Sequence, residues 1–216
     1  MKQPKRRPLI APKPPNKQAS TSLPEDAWQD DGWIHNTILE NLDLSGRTTN
    51  DLVLEHSHFR NVKLAQSRMR RLRLSDIVFE DCDLEGVRLT DARLERVVFG
   101  HCRLLGFSAA GAKLEDVLVE RCDARYARLL DARAGTFEAR GTNWLEASFQ
   151  GANLVNAVFA DCDLRESDLR DARLNGADFR GSRLQSLRVH PKDLFGAIIG
   201  PEQAVDLVSL LGVHVQ

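Results

Sequence analysis

Residues 158–184 read VFADCDLRESDLRDARLNGADFRGSRL, a density of carboxylates, guanidinium groups and one thiol that invites a catalytic reading. The spacing of the apolar residues points elsewhere. Stepping by five from Leu164 meets Leu169, Leu174, Phe179 and Leu184 in one direction and Phe159, Leu154, Phe149 and Trp144 in the other. The series continues back to Phe59, Leu54 and Leu44 without an insertion. Two residues before each large side chain stands a small one: Ala152, Ala157, Cys162, Ser167, Ala172, Ala177 and Ser182. Residues two apart on an extended backbone share a face, so each unit sends one large and one small side chain inward. The other three positions form a turn and an outer surface.

The units GANLV, GADFR, ESDLR and DARLN resemble the pentapeptide-repeat family, whose consensus is roughly A-[DN]-L-x-x. From Leu54 to Val189 about 28 units keep one phase. The resemblance implies an all-β solenoid, a right-handed quadrilateral β-helix with four units per coil and a structural period of twenty. Sorting the central positions by twenty puts Phe59, Phe79, Phe99, Phe159 and Phe179 on one side and Leu54, Leu74, Leu94, Leu114, Leu154, Leu174 and Leu194 on another. Seven or eight coils at strand spacing make a rod roughly 35 to 40 Å long. Where Ala109 and Ala139 replace the large residue, Phe107 and Phe137 fill the small position, and Trp144 stands one coil from Ala124. These swaps conserve core volume, as close packing demands.

The domain organisation expected is a basic Pro-rich arm (1–24), an N-terminal cap (25–43), the repeat β-helix (44–199) and a C-terminal helix (200–216). MKQPKRRPLIAPKPPNKQ lacks the apolar content to order itself and reads as a flexible arm. Six of the 30 basic residues and none of the 31 acidic ones fall in its first 17 positions, which leaves the remainder at −7. Trp28, Trp33 and Ile34 are candidates for a lid on the first coil. At the other end Pro201 suits a first helical position, and Ala204, Leu207, Val208 and Leu211 form an apolar stripe before Gly212. This helix can cap the last coil. It resembles the C-terminal helix of several bacterial pentapeptide-repeat proteins, where the helix supports an end-to-end homodimer. No run approaches a membrane span and no secretory h-region is present, so a cytoplasmic location without membrane contact is expected.

Chemical readings find little support. Cys82, Cys102, Cys122 and Cys162 are spaced 20, 20 and 40, all in the small inward position, with no CxxC pair and no histidine at ligand spacing. They read as buried free thiols acting as small core residues. No nucleophile elbow, phosphate loop or HExxH occurs. The expectation is a protein without enzymatic activity, cofactor or metal.

Outward charges carry more information. Lys63, Asp83, Arg103, Asp123, Asn143, Asp163 and Arg183 form a column of largely alternating sign, a self-neutralising ladder. Arg73, Arg93, Lys113, Arg133 and Arg173, with Asn153 between the last two, form a basic column, and Arg68, Arg88, Arg128 and Arg188 lie on the preceding face. Asp91, Asp131 and Asp171, together with Asp76 and Asp116, are placed to neutralise it, and an acidic partner is the alternative. Val78, Val98, Leu118 and Val158 form an outward apolar stripe, a candidate protein contact.

Three functions follow. The first is a rigid scaffold that binds a protein partner of unknown identity. The second comes from the resemblance: the quinolone-resistance Qnr and MfpA types of the family look like B-DNA and occupy the DNA-binding saddle of DNA gyrase. On that reading the chain is a DNA mimic that binds a topoisomerase and protects it from fluoroquinolones, although two arginine columns sit badly with mimicry. Direct nucleic-acid binding through the arm is the weakest, because the arm has no interleaved aromatics and the body is acidic.

Overall fold

The computed structural model describes residues 6–23 and 27–208. Its geometry follows from what happens at every fifth residue. Asp161, Glu166, Asp171, Gly176 and Gly181 adopt left-handed backbone angles, φ from 54° to 78°, and the same position is left-handed through almost the whole repeat. A left-handed residue turns the chain, and Asp, Asn and Gly tolerate that conformation best. Each unit is therefore a corner, a small inward residue, an outward residue, a large inward residue and a second outward residue. Leu164, Leu169, Leu174, Phe179 and Leu184 are all 1% exposed or less, each worth about 1.5 to 3 kcal/mol of apolar burial.

Four such sides close a coil, and successive coils pair in parallel with a register of twenty. The amide of Asp163 donates to the Thr142 carbonyl (3.1 Å) and that of Leu164 to the Arg183 carbonyl (2.9 Å), so each side is bonded to the coils before and after. The strands are β1 (Trp33–His35), β2 (Ile38–Glu40), β3 (Thr48–Asn50), β4 (Val53–Arg60), β5 (Arg68–Arg70) and β6 (Arg73–Glu80). They continue as β7 (Arg88–Thr90), β8 (Arg93–Gly100), β9 (Lys113–Glu120), β10 (Arg133–Ala134), β11 (Phe137–Arg140) and β12 (Val158–Ala160). One sheet has the order β1-β4-β6-β8-β9-β11-β12, with β2 on β4 and β10 on β9; the other is β3-β5-β7. The long strands β4, β6, β8 and β9 run through a corner at His56, Asp76, Arg96 and Asp116, each left-handed.

The fold is the expected parallel β-solenoid, with two adjustments. Continuous strand ladders span about six turns rather than seven or eight. Beyond Ala160 the same register persists as single bridges as far as Asp178–Ile198. Pairing also starts earlier than the expected boundary at residue 44: Ile34 is in register with Leu54 and Leu39 with Phe59. The segment anticipated as a cap already forms strands.

Aromatic rings continue the stacking inside. Phe59, Phe79 and Phe99 stack at 5.0 and 5.2 Å, and Phe159 on Phe179 at 5.3 Å. Phe107 and Phe137 are buried beside Ala109 and Ala139, and Phe137 reaches Phe159 at 5.8 Å, which is the volume exchange the sequence implies. Trp28 closes the first coil edge-on against Phe59 at 6.4 Å. Trp33 does not join it. Strand alternation turns Ile34 inward and leaves Trp33 62% exposed, its ring on His35 and its Nε1 donating to Glu55 (3.1 Å).

Residues 6–23, expected within a flexible arm, lie in an extended path against the solenoid. Ser20 donates to the Asn36 carbonyl (3.0 Å) and its own carbonyl accepts from Ile38 (2.8 Å). At the far end α1 (Pro201–Val208) covers the last coil, with Leu207 packed on the core. Ala204 and Val208 are half-buried, while Leu211 lies outside the described residues. Among the described residues no helix is long and apolar enough to cross a membrane.

The polar member of this cap is Gln203, 2% exposed. Its Nε2 donates to the Phe179 and Ser182 carbonyls, both at 2.5 Å, and its Oε1 accepts from the Gly200 amide at 2.7 Å. A terminal coil has no following coil to use these carbonyls, and buried acceptors left unmet are costly. Replacing Gln203 with Ala is expected to lower unfolding free energy by about 1 to 3 kcal/mol, as read in urea denaturation, whereas Gln150→Ala, at an exposed position away from the cap, leaves it unchanged.

Candidate macromolecule-binding faces

The charge density of the opening stretch resolves into three geometric roles. Asp161 and Asp171 are left-handed corners. Asp163, Asp168 and Asp178 stand just before an inward Leu or Phe and chelate the arginine just after it: Asp163 with Arg165, Asp168 with Arg170 and Asp178 with Arg180, at 2.8, 2.6 and 2.7 Å. Flanking one inward side chain, both groups emerge on the same outer face. The facing guanidinium holds each of these carboxyls below the usual range, Arg165, Arg170 and Arg180 being the principal causes. Asp163 also meets Arg183 of the next coil at 2.7 Å, a rung of the alternating ladder. Arg103 instead turns to Glu85 (2.6 Å).

The cysteine column is a hydrogen-bonding ladder as well as a set of small core residues. All four thiols are free and buried. Cys102 donates its amide to Cys122 Sγ (3.3 Å), Cys122 to Thr142 Oγ1 (3.2 Å) and Cys162 to Ser182 Oγ (2.9 Å). The column thus takes Cys, Thr or Ser because each satisfies an amide of the preceding coil. Burial pushes the Cys162 thiol up to about 11, away from the thiolate that reacts or binds metal. Asp171, His190 and Asp193 bring one ligand atom each within 4.8 Å of one another at the surface. Their contacts are internal: Lys192 lies 3.8 Å from Asp171, and Asp193 accepts the Asp171 amide at 2.8 Å.

The basic column is brought together as the sequence implies. Arg73, Arg93, Lys113 and Arg133 are register partners in adjacent strands, and bridges carry the column through Asn153 to Arg173. All five cationic residues are exposed. The anticipated neutralisation does not take the form of direct ion pairs, and four of the five aspartates contact other cations. Asp76 binds Arg96 (2.7 Å), Asp116 binds Arg7 (2.8 Å), Asp91 lies 3.9 Å from Arg70, and Asp171 faces Lys192. Among the described residues, Arg73, Arg93, Lys113, Arg133 and Arg173 form no ion pair, and Arg71, Arg73, Arg93 and Lys113 line one shallow surface groove with Asp91. Like charges stacked at strand spacing repel.

The apolar stripe is shorter than expected. Val78, Val98 and Leu118 are register neighbours, but Glu138 stands between Leu118 and Val158. All four apolar members are half-buried.

A third feature was not foreseen: an acceptor column at the corner through which the long strands bend, containing Asn36, Asp76 and Asp116. Its signal was available, since these residues recur at intervals of forty. Asp76 is 1% exposed. Burial alone would raise its carboxyl, but Arg96, the Lys13 amide and His56 (3.5 Å) outweigh it and hold it at about 2.

Comparison with known proteins adds the following. A family model described as a pentapeptide repeat region matches residues 52–129, and one described as pentapeptide repeats (8 copies) matches residues 140–185. No curated protein matches the chain. Among solved structures, full-length QnrB1, a plasmid-mediated fluoroquinolone resistance protein, is 19% identical with a TM-score of 0.54, over 85% of this chain and 92% of its own. HetL, a pentapeptide repeat protein involved in heterocyst differentiation regulation from the cyanobacterium Nostoc sp., is 21% identical with a TM-score of 0.34, over 79% and 90%.

Two outcomes test these assignments. Ellman's reagent at pH 8 is expected to modify none of the four thiols in the native protein and all four after denaturation; a fast-reacting native thiol contradicts the inert column. For Asp76 the folded value lies below the ordinary 3.8, so its contribution is complete above that pH and lost as pH falls toward 2. Between pH 5 and 2 the native protein should therefore lose about 2 kcal/mol more than Asp76→Asn, measured by urea unfolding at each pH.

Proposed function

Because the chain belongs to the pentapeptide-repeat family, we propose that it acts as a rigid, non-enzymatic scaffold whose basic column binds an acidic surface of another protein. One observation carries this reading: Arg73, Arg93, Lys113, Arg133 and Arg173 are stacked, exposed and without ion pairs among the described residues. A regular sheet holds these cations at fixed separations, so little side-chain repositioning is needed to meet a matching row of carboxylates. The apolar neighbours Val78, Val98 and Leu118 offer a second contact on another side of the rod. The repeat chemistry supports the non-enzymatic reading, since its carboxylates serve as corners and arginine partners.

A second reading is the DNA mimic that binds DNA gyrase or another topoisomerase and protects it from fluoroquinolones. What favours it is the fold shared with QnrB1 over 85% of the chain, together with the net acidity of the body. The exposed basic column opposes it, because a surface that replaces DNA has to be anionic where the enzyme is cationic. A homodimer through α1 belongs to the same proposal; Val205, 57% exposed, is the side chain available to such an interface.

An affinity pull-down from lysate, paired with a gyrase supercoiling assay, separates the readings. The native chain is expected to retain an acidic protein that Arg73→Glu/Arg93→Glu/Arg133→Glu loses by at least tenfold. Gyrase supercoiling, with or without a fluoroquinolone, is expected to be unchanged at micromolar protein. Protection of gyrase by both native and triple-variant chains would replace the scaffold reading with the mimic.

A further inference from the structure

The described arm meets the solenoid with a regularity that its composition does not require. The amide of Asn16 donates to Asn36 Oδ1 (2.7 Å), that of Lys13 to Asp76 Oδ1 (2.9 Å) and that of Ile10 to Asp116 Oδ1 (3.1 Å). Each step is three residues along the arm and forty along the solenoid, or two coils. Three residues of polyproline II helix advance about 9.3 Å, and two coils at strand spacing about 9.6 Å. The two repeats are commensurate. Arg6, Leu9, Pro12 and Pro15 are the half-buried arm residues of this stretch, again every third position, as one edge of a threefold helix requires. Prolines occupy positions 8, 12, 14 and 15 and avoid 10, 13 and 16, where a missing N–H would forfeit the bond.

The groove carries more than the arm uses. Asn156 is the next member of the series 36, 76, 116, and its Oδ1 is buried without a hydrogen-bond partner. Asp116 is 2% exposed, and its hydrogen-bond donors, the Ile10 amide and the Arg7 guanidinium, both belong to the arm. Arg7 also reaches Glu115 and Thr136 (3.1 Å), and Arg6 binds Asp178 (3.1 Å) and the Gly176 carbonyl (2.9 Å). A buried carboxylate supplied only by a terminal segment is what a peptide-binding site looks like with its ligand in place.

We propose that this corner is a recognition groove for basic, proline-rich segments in polyproline II conformation. It reads one backbone amide in three through Asn36, Asp76, Asp116 and Asn156. Residues 6–16 are its resident ligand in cis, and a segment of the same chemistry from another polypeptide binds when the arm leaves. The groove runs along the corner that borders the basic column, since Glu115, which Arg7 reaches, flanks Leu114 opposite Lys113; its acceptors are nonetheless distinct from the column's cations, and peptide binding is measured separately from capture of an acidic protein, so the two readings fail separately.

The test uses the full chain with Ile10→Pro/Lys13→Pro, which removes two donors while keeping polyproline geometry and leaves the solenoid untouched. The probe is a fluorescein-labelled synthetic peptide with the sequence of residues 6–18, followed by anisotropy. The arm variant is expected to bind it saturably at micromolar concentration, and the native chain at least tenfold more weakly because its arm competes. Adding Asp116→Asn to the arm variant, or placing proline at the two donor positions of the peptide, should each weaken binding at least tenfold. Absence of binding overturns the proposal, as does equal binding of the proline-substituted peptide, which would reduce the effect to charge.

Discussion

Everything in this molecule depends on the parallel register of twenty, because each side of a coil hands its backbone amides and carbonyls to the coils before and after it. Asp163 bonding back to Thr142 and Leu164 bonding forward to Arg183 is the unit of that arrangement. It is sustained by a left-handed residue every five positions, an awkward backbone state that Asp, Asn and Gly make inexpensive. A lost or added residue would shift every later side chain to the wrong face, since inward and outward positions alternate along each side. The unbroken phase of the repeat is thus a condition of the fold.

The register also turns side chains into ladders. Phenylalanines separated by twenty stack at about 5 Å, and Cys, Thr and Ser at the small position receive amides from the preceding coil. Charged residues do likewise on the outside. Where signs alternate, as at Asp163 and Arg183, the ladder stabilises itself; where they do not, as along Arg73, Arg93 and Lys113, like charges meet without direct ion pairs, and Asp51 and Asp91 at the neighbouring corner offset them only in part. Exposed ion pairs are individually weak, so the alternating face adds little stability. Its consequence is that it leaves little field for a partner, unlike the basic column.

The core was legible in the sequence because it is periodic: Leu164 and its companions announce themselves by spacing, and Phe107 with Ala109 shows a compensated exception. The direction of side chains at corners was not. Asp91 and Asp171 sit two residues from arginines in the sequence, yet a left-handed corner carries them around the edge toward Arg70 and Lys192. Trp33 was assigned to the lid on hydrophobicity alone, whereas alternation with Ile34 decides its exposure. An apolar stripe marks a capping helix but does not reveal Gln203, because the end of a solenoid needs hydrogen-bond donors as much as apolar cover. The docking of the arm is hidden in the sequence for a related reason. Low hydrophobicity argues against burial, but a polyproline segment is already extended, loses little entropy on docking and needs only acceptors at its own spacing.

That docking changes what the chain presents to its surroundings. By sequence the molecule is a basic tail on a body of net charge −7, which suggests an acidic rod trailing a cationic tether. In the folded arrangement the tether lies along a corner that offers it carboxylates, where Arg7 meets Glu115 and Asp116 and Arg6 meets Asp178. The two charges cancel locally, and the corner ceases to be an anionic surface. The arginine column has no comparable cover. The field that an approaching macromolecule meets is therefore set by Arg73, Arg93, Lys113, Arg133 and Arg173 rather than by net charge, because screening confines its influence to roughly 8 Å at physiological salt. Net charge and local field therefore differ in sign on this face, because the carboxylates that make the chain acidic are largely engaged elsewhere.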